Sequence, residues 1–178
     1  MANKVITGKV RLSYANVWEP TSINGSAEKY GCSLIIDKND TATLDKINKA
    51  IDLAIKEGIG KFGGKIPNKA SLKLPLRDGD IDRPDDEAYK GAYFINANSK
   101  VAPGIVDINC DPILDKTEVY SGCYARVSIT FYAFNSNGNK GVACGLQNIQ
   151  KLADGEPLGG RASAADDFKS DADEDFLN

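Results

Sequence analysis

The sequence predicts a mainly β protein, built as a small antiparallel barrel with one helix after its second strand, elaborated loops and a flexible acidic tail. Apolar residues recur with a period of two in several segments, which is typical of half-buried strands. In one segment they recur in steps of three and four, which indicates a helix. From Asp154 onward Gly, Ala, Ser and Asp dominate, a composition that favours disorder. We therefore expect a folded domain at residues 1–153 and a tail at 154–178.

The first two strands are predicted from their alternation. They cover residues 4–14, KVITGKVRLSY, and residues 29–37, KYGCSLIID. Residues 15–28 include Pro20 and Asn24-Gly25 and are predicted to form a loop. The first strand places Ile6, Val10, Leu12 and Tyr14 on one face and Lys9, Arg11 and Ser13 on the other, and the second places Tyr30, Cys32, Leu34 and Ile36 on one face.

The helix is predicted at residues 39–58, NDTATLDKINKAIDLAIKEG. Asp40 or Thr41 can cap its start and Gly58 can end it. The apolar stripe of this helix consists of Leu44, Ile47, Ile51, Ala54 and Ile55. Leu53 lies off this stripe.

The second half of the chain predicts a long hairpin. Residues 122–135, GCYARVSITFYAFN, alternate throughout, and a turn at Asn137-Gly138 leads into residues 141–152. Shorter strands are expected at residues 71–74, 91–98 and 103–109. An OB-type barrel is one candidate for such a set of strands, although periodicity alone does not separate it from a sandwich.

The composition restricts the chemistry that the chain can perform. Its 178 residues include no histidine, so the usual general base and the commonest transition-metal ligand are missing. The four cysteines form no CxxC pair, and we expect reduced core thiols and no cofactor. No apolar run approaches the roughly 18 residues that span a membrane, and no secretory signal is visible. We therefore expect a cytosolic protein.

Residues 78–87, DGDIDRPDDE, carry six acidic side chains and one basic side chain, which raises the question of a cation site. Their start resembles a calcium-binding loop, but Arg83 and Tyr89 stand where that motif needs Gly and Glu. A two-metal nuclease could use such carboxylates. The alternative is a solvated loop.

The polar face of the strands interleaves aromatic and cationic side chains. A single strand of nucleic acid needs this mixture, because bases stack on rings and cations neutralise phosphates. The alternative is a two-sided core in which the rings are covered, and alternation does not say which face is solvated. The candidate residues are Lys9, Arg11, Trp18, Tyr124, Arg126, Tyr132 and Phe134.

The glycine-rich stretch from Lys56 to Arg77 is basic and lacks the P-loop motif. It would either contact a phosphate backbone, through Lys65, Lys69 and Lys73, or form a solvated loop. Residues 38–77 as a whole hold nine basic and four acidic side chains. The low pI of 5.1 therefore does not argue against a polyanionic partner.

The tail carries six acidic side chains in residues 166–178 and ends close to an aromatic residue. A solubility appendage gains nothing from exposed apolar side chains, so we expect a short motif that docks on partner proteins. The same carboxylates could compete with DNA for a basic groove. The predicted motif is Asp173, Glu174, Asp175, Phe176 and Leu177.

Long strings of the sequence resemble a family of phage and prophage single-stranded-DNA-binding proteins. They include KYGCSLIIDK, LKLPLRDGD, EVYSGCYARVSI and FNSNGNKGVACGLQNIQKL, and the resemblance extends from about Arg11 to Arg161. The resemblance implies an OB fold, sequence-independent binding of single strands in replication or recombination, and no catalytic activity. In related proteins the tail ends on an aromatic residue, whereas here Leu177 and Asn178 follow Phe176.

Three hypotheses follow from the residues and the resemblance. The first is a phage protein that binds single-stranded DNA in the cytoplasm of a bacterial host and recruits replication or recombination proteins through its tail. A homodimer would suit this arrangement. The others are a virion or scaffold assembly protein and a metal-dependent nuclease.

Overall fold

The computed structural model describes residues 3–22 and 27–158. Within them eight strands and two α-helices follow one another along the chain, with short 3₁₀ turns between them. In chain order they are β1 (Lys4–Ile6), β2 (Val10–Thr21), β3 (Lys29–Asp37), α1 (Thr41–Glu57), β4 (Leu76–Asp78), α2 (Gly79–Asp82), β5 (Ala92–Ser99), β6 (Gly104–Val106), β7 (Tyr124–Ser136) and β8 (Asn139–Ala153).

The five longest strands of the described chain close into a barrel. Strand β2 pairs with β3 and β3 with β5, both antiparallel. Strand β5 meets β8 in parallel, β8 pairs with β7, and β7 returns to β2. Closure leaves these strands without a free edge. Strands β1, β4 and β6 are added to β7, β5 and β8.

Helix α1 follows the second barrel strand, as predicted. Asp40 caps it by accepting a hydrogen bond from the Thr43 amide, and Gly58 ends it. The helix packs against β7, β1 and β8. All five residues of the predicted stripe are buried. No helix of the described residues is both long and apolar enough to cross a membrane.

The barrel interior is filled by alternate residues of the strands. On β7 the predicted apolar face is confirmed, since Ala125, Val127, Ile129, Phe131 and Ala133 are all buried. The predicted hairpin is also confirmed, because Asn137 and Gly138 both have positive φ in the turn between β7 and β8. All four cysteines are free; Cys110 is exposed, while Cys32, Cys123 and Cys144 are buried.

The prediction for the first strand is wrong at both ends. Ile6 and Tyr14 are exposed, although the alternation grouped them with the buried Val10 and Leu12. Residues 7–9 separate β1 from β2, and the register of β2 against β3 shifts between Ser13 and Asn16. A bulge adds a residue and reverses the side-chain alternation. Tyr14 has a φ of 47° there.

Two further predictions are corrected. The expected loop at residues 15–28 is strand as far as Thr21, because β3 supplies a partner along this length. The expected strand at residues 71–74 is replaced by β4, which pairs with β5. Before β4, Lys73 forms only an isolated bridge with Gly141.

Candidate nucleic-acid interface

The outer face of β2, β3 and β5 carries a small apolar layer of its own. Ile35 and Phe94 point away from the barrel interior and are buried by Tyr89 and Ala92. The Tyr89 and Phe94 rings meet edge to face with centroids 5.0 Å apart, and the Tyr89 hydroxyl donates to Ser33 over 3.1 Å. The sheet is therefore two-sided here, and Tyr89 and Phe94 belong to packing.

The acidic stretch of the sequence holds this layer in place. Asp78 accepts from the Asp80 amide at the start of α2, and Asp80 accepts from the Gly91 amide over 3.0 Å. Lys38 forms ion pairs with Asp78 at 2.9 Å and Asp80 at 2.8 Å. Hydrogen bonds from Lys38 lower the pKa of Asp80, and its two carboxylate partners raise the pKa of Lys38. We call this arrangement the Lys38 clasp.

These contacts leave little for a cation to bind. Among residues 3–22 and 27–158 no group of three acidic or cysteine side chains lies close enough together to hold a metal ion. Instead, Asp78 and Asp86 cap short helical turns, and Asp78 and Asp80 pair with Lys38. The described residues thus give no support to the cation site, and the loop is not simply solvated as the alternative predicted, because Asp78 and Asp80 are paired.

Arg83, the basic residue within the acidic stretch, stacks on three rings. Its guanidinium carbon lies 5.1 Å from the Tyr14 ring centroid, 5.0 Å from that of Tyr89 and 5.1 Å from that of Phe94. Nη1 donates to the Tyr14 hydroxyl over 3.3 Å. Nε is buried and has no hydrogen-bond partner among the described atoms. A buried donor without an acceptor is costly, and Nε of Arg83 is such a donor within the described residues.

Two hollows meet at Tyr14 and a third meets the second at Ala88, and we call the three together the outer groove. The first, of about 560 Å³, runs past Tyr14 and Arg83 to Lys29. The second, of about 610 Å³, shares Tyr14 with the first. The third, of about 410 Å³, shares Ala88 with the second. Amides line the first hollow (Asn16, Asn96 and Asn98), whereas three cations, a ring and one carboxylate line the third (Lys9, Arg11, Lys90, Tyr124 and Asp37).

The cationic end of the outer groove is organised by Tyr124. The Lys9 ammonium lies 4.7 Å from the Tyr124 ring centroid and the Arg11 guanidinium 5.7 Å from it. Arg11 also donates to the carbonyl oxygens of Gly122 and Glu156. The structure therefore brings together Lys9, Arg11 and Tyr124, which were all predicted from the sequence. All three line the third hollow.

The other predicted site residues lie elsewhere. The Trp18 indole donates to the Val119 carbonyl over 3.0 Å and is partly buried against the barrel core. Lys69 forms an ion pair with Asp52 of α1. Arg126 is exposed and donates to the Thr7 carbonyl. Lys65, Lys73 and Tyr132 are exposed and Phe134 is half-buried.

Tyr132 and Phe134 lie toward the hairpin end of β7 and line none of the three hollows, although the Tyr132 ring lies beside Gly145, the β8 residue that bridges to Asn98 of the first hollow. Tyr132 follows Tyr124 by eight positions on this strand, which corresponds to about 27 Å at the rise of an antiparallel strand. Lys73 lies beside them, since it bridges to Gly141 and Gly141 is the strand partner of Phe134. The predicted residues thus fall into at least two separate groups.

Sequence reasoning missed the centre of the outer groove. Tyr14 was assigned to the apolar face, and Arg83 appeared only as a departure from a calcium motif. One sequence signal could have indicated Arg83, because it is the one basic residue among six acidic residues at positions 78–87. In the structure its guanidinium stacks on aromatic rings. Nothing local indicated that Asn96 and Asn98 would face the same hollow.

The segment after β8 runs along the groove. Tyr120 and Gly155 exchange hydrogen bonds of 2.9 and 3.1 Å, and the Leu158 amide donates to Ser121. Leu158 packs against the Ile35, Tyr89, Ala92 and Phe94 layer. The predicted docking motif at residues 173–177 lies outside the described residues.

Comparisons with known proteins agree with this architecture. The structure of the single-stranded DNA-binding protein from bacteriophage Enc34 in complex with ssDNA matches with a TM-score of 0.79 and 24% identity, covering 89% of this chain and 90% of that chain. Gp2.5, a single-stranded DNA-binding protein of bacteriophage T7, matches with a TM-score of 0.63 and 14% identity, covering 97% and 96%. The predicted OB-type barrel is confirmed by these shared folds.

Two sequence comparisons extend over nearly the whole chain. Putative protein p50 of Acyrthosiphon pisum secondary endosymbiont phage 1 is 32% identical over 173 residues, which is 93% of this chain and 92% of that protein. A family model described as "Enterobacter phage Enc34, ssDNA-binding protein" matches residues 3–177. The members that this family model describes bind single-stranded DNA and are non-enzymatic. The chain therefore belongs to the family of phage single-stranded-DNA-binding proteins represented by that of Enterobacter phage Enc34.

Proposed function

We propose that the chain binds single-stranded DNA, without sequence preference, in the outer groove. The observation that carries this proposal is the pairing of Arg83 with Tyr14, in which a half-buried guanidinium stacks on an exposed ring and both residues line the first hollow. Family membership supports the class of ligand. The groove supports the location, because its three hollows, which share Tyr14 and Ala88, combine rings, cations and amides.

Each part of the groove contributes a different interaction. Tyr14 is 56% exposed and offers a ring face for a base, and stacking of this kind is worth about 1–3 kcal/mol per base. Lys9, Arg11 and Lys90 neutralise phosphates at one end, and Lys29 does so at the other. The amides accept or donate hydrogen bonds to any base edge, so they add contacts without fixing a sequence.

Duplex DNA fits this surface poorly. Its bases are stacked on one another and are not free to stack on Tyr14. Single-strand selectivity is therefore expected to come from the rings, and salt dependence from the cations.

The test is fluorescence anisotropy of a labelled oligo-dT with the full-length protein, with duplex as competitor. Replacing Lys9 by Ala should weaken binding severalfold, because Lys9 sits over Tyr124 in the groove. Replacing the exposed Lys100 by Ala, outside the groove, is the matched control and should change little. Equal effects of the two replacements, or equal affinity for duplex, would argue against the proposed site.

We further propose that the protein acts in phage DNA replication or recombination in the cytoplasm of the host, with the acidic tail recruiting partner proteins. The support is the motif at residues 173–177, which combines carboxylates with Phe176 and Leu177. Replacing Phe176 and Leu177 by Ala should abolish co-purification with a phage replication or recombination protein and leave oligo-dT affinity unchanged. Sedimentation of the unmodified full-length protein tests whether it forms the predicted homodimer.

A further inference from the structure

A second groove, of about 660 Å³, lies between α1 and β1. We call it the helix groove. Its floor is apolar: Ile6 is 48% exposed, and Leu53, the residue off the helical stripe, is half-buried. Val5 and Ala50 complete the floor. None of these residues lines the outer groove.

The rim of the helix groove is cationic. The lining also contains Asp52, but this carboxylate is paired with Lys69. Within residues 3–22 and 27–158 no ion pair involves the rim lysines, so their charge is available to a partner. The rim lysines are Lys4, Lys46, Lys49 and Lys56, and all four are exposed.

The loop that contains α2 presents the opposite combination. Ile81 is an aliphatic residue and is nevertheless 74% exposed. Three exposed acidic residues follow it closely in the sequence, and in the part of the chain that the structure describes they form no ion pair. They are Asp82, Asp85 and Glu87. We call Ile81 and these three residues the Ile81 knob.

The knob and the helix groove match in two respects. An exposed aliphatic side chain suits the apolar floor, and carboxylates beside it suit the rim lysines. A phosphate backbone would match the groove in only one respect, because it would pair with the lysines and leave Ile6 and Leu53 without a partner. The pattern therefore favours a protein surface with the chemistry of the knob.

The knob does not meet the helix groove of its own copy. The Lys38 clasp holds the start of its loop, and Asp80 holds the Gly91 amide at the end of that loop. Between these two points Arg83 is stacked on rings. No residue from 78 to 91 lines the helix groove. Because the loop is fixed at both ends, the groove that receives the knob must belong to a second copy.

We propose that the helix groove of one copy binds the Ile81 knob of a second copy of this chain. Ile81 packs over Ile6 and Leu53, and the three carboxylates of the knob lie among the rim lysines. The two surfaces differ, so each contact leaves one free knob and one free groove. Further copies add in the same way and form a row.

The row gives single-stranded DNA a way to favour contacts between neighbouring copies. A strand bound in the outer groove holds several copies close together, which raises the effective concentration of the knob at the neighbouring groove. Arg83 belongs to the same loop as Ile81, so the contact lies next to the proposed DNA site. This step rests on the proposed function, whereas the match between knob and groove does not.

The test is photo-crosslinking of the full-length protein with 4-benzoylphenylalanine in place of Ile81, which keeps an apolar side chain there. Irradiation on an oligo-dT long enough for several copies should give covalent dimers. Mass spectrometry should find the second copy attached within residues 4–6 or 46–56. Concentrated protein without DNA should give the same attachment at lower yield. The matched control carries the label at Val101, which is also 74% exposed, and should give no attachment in the helix groove.

Charge reversal tests the pairing of the two surfaces in the labelled protein. Lys46→Glu with Lys49→Glu should lower the yield of dimers severalfold, and so should Asp82→Lys with Asp85→Lys. All four replacements in one chain should restore the yield, because an acidic rim then faces a basic knob. The exposed pair Lys65→Glu and Lys100→Glu is the charge control and should leave the yield unchanged. Thermal unfolding verifies that each variant is folded.

Three results would overturn the proposal. One is the absence of covalent dimers from position 81 both with and without DNA, and another is attachment outside the helix groove. The third is a yield that neither reversal lowers, or that the four replacements together do not restore. Anisotropy with an oligo-dT too short for two copies measures DNA binding separately. If Lys46→Glu with Lys49→Glu weakens that binding and leaves the dimer yield unchanged, the rim lysines serve phosphates instead.

Discussion

At the scale of the residue, the proposed binding site depends most on Arg83. Its loop holds six carboxylates, yet its guanidinium lies over the rings of Tyr14, Tyr89 and Phe94. A planar guanidinium can stack on rings and still present its N–H groups at its edge, which an ammonium cannot. The residue therefore supports Tyr14 from one side and remains able to donate to a phosphate.

Replacing Arg83 tests this dual role. Arg83→Ala should weaken oligo-dT binding about tenfold, since a desolvated cation–π contact and one phosphate contact are together worth about 1.4 kcal/mol or more. Arg83→Lys should restore the salt dependence but only part of the affinity, because an ammonium does not reproduce the stack. Anisotropy titrations at several salt concentrations measure both. Full affinity of Arg83→Lys would contradict the stacking role.

The cysteines give a second prediction at this scale. Burial raises the pKa of the Cys32 thiol to about 12 and also raises the pKa values of Cys123 and Cys144. Since the thiolate is the reactive form, one thiol, that of the exposed Cys110, should react rapidly with a thiol reagent at pH 8. The other three should react only on unfolding. Rapid modification of more than one thiol in the native protein would contradict the burial described here.

At the scale of the element, the Lys38 clasp ties the acidic stretch to the end of β3. Asp78 and Asp80 both contact Lys38, and Asp80 also holds the Gly91 amide at the start of β5. The clasp fixes the loop between β4 and β5, and this loop supplies Arg83 and Tyr89. A surface ion pair contributes little stability in general, so its role here is to position the loop.

The clasp predicts a pH dependence. The pKa of Asp80 is lowered in the folded protein, so its contribution to stability is present above the unfolded pKa, near 3.9, and is lost as the pH falls through the lower folded value. Asp80→Asn should therefore lower the urea midpoint between pH 5 and 7, and the difference from the parent should shrink below about pH 4. A difference that stays constant from pH 3 to 7 would assign the effect to something other than the charge.

The elements themselves were largely predictable from local pattern. The stripe from Leu44 to Ile55 predicted α1, and the alternation from Ala125 to Ala133 predicted β7, because each pattern reports one buried face. The outer groove was not predictable in this way. A bulge at Tyr14 reverses the alternation, and Arg83 reaches Tyr14 across 69 residues of sequence. Both depend on tertiary contacts.

At the scale of the whole molecule, charge is divided among separate surfaces. The tail carries six acidic residues, and the surface between α1 and β1 carries four exposed lysines, Lys4, Lys46, Lys49 and Lys56. The outer groove has its own set of cations, which should govern the response to salt. They are Lys9, Arg11, Lys29, Arg83 and Lys90.

This division predicts the response to salt. If all five cations neutralise phosphates, the logarithm of the oligo-dT association constant should fall with the logarithm of salt concentration at a slope of about −3.5, at about −0.7 per phosphate. Lys9→Ala and Lys90→Ala should each reduce the slope by about 0.7. Anisotropy over a range of salt concentrations measures it, and salt-independent binding would contradict the electrostatic part of the account.

The measurement that tests the central claim most directly is oligo-dT affinity of Tyr14→Asn against Tyr132→Ala. Both tyrosines are about half exposed, at 56% and 50%, but only Tyr14 lines the outer groove. Asn tolerates the positive φ of position 14, so the replacement removes the ring and spares the bulge. We expect about tenfold weaker binding for Tyr14→Asn and near-parental binding for Tyr132→Ala. The opposite pattern would place DNA at the hairpin end of β7 and contradict the outer groove as the binding site.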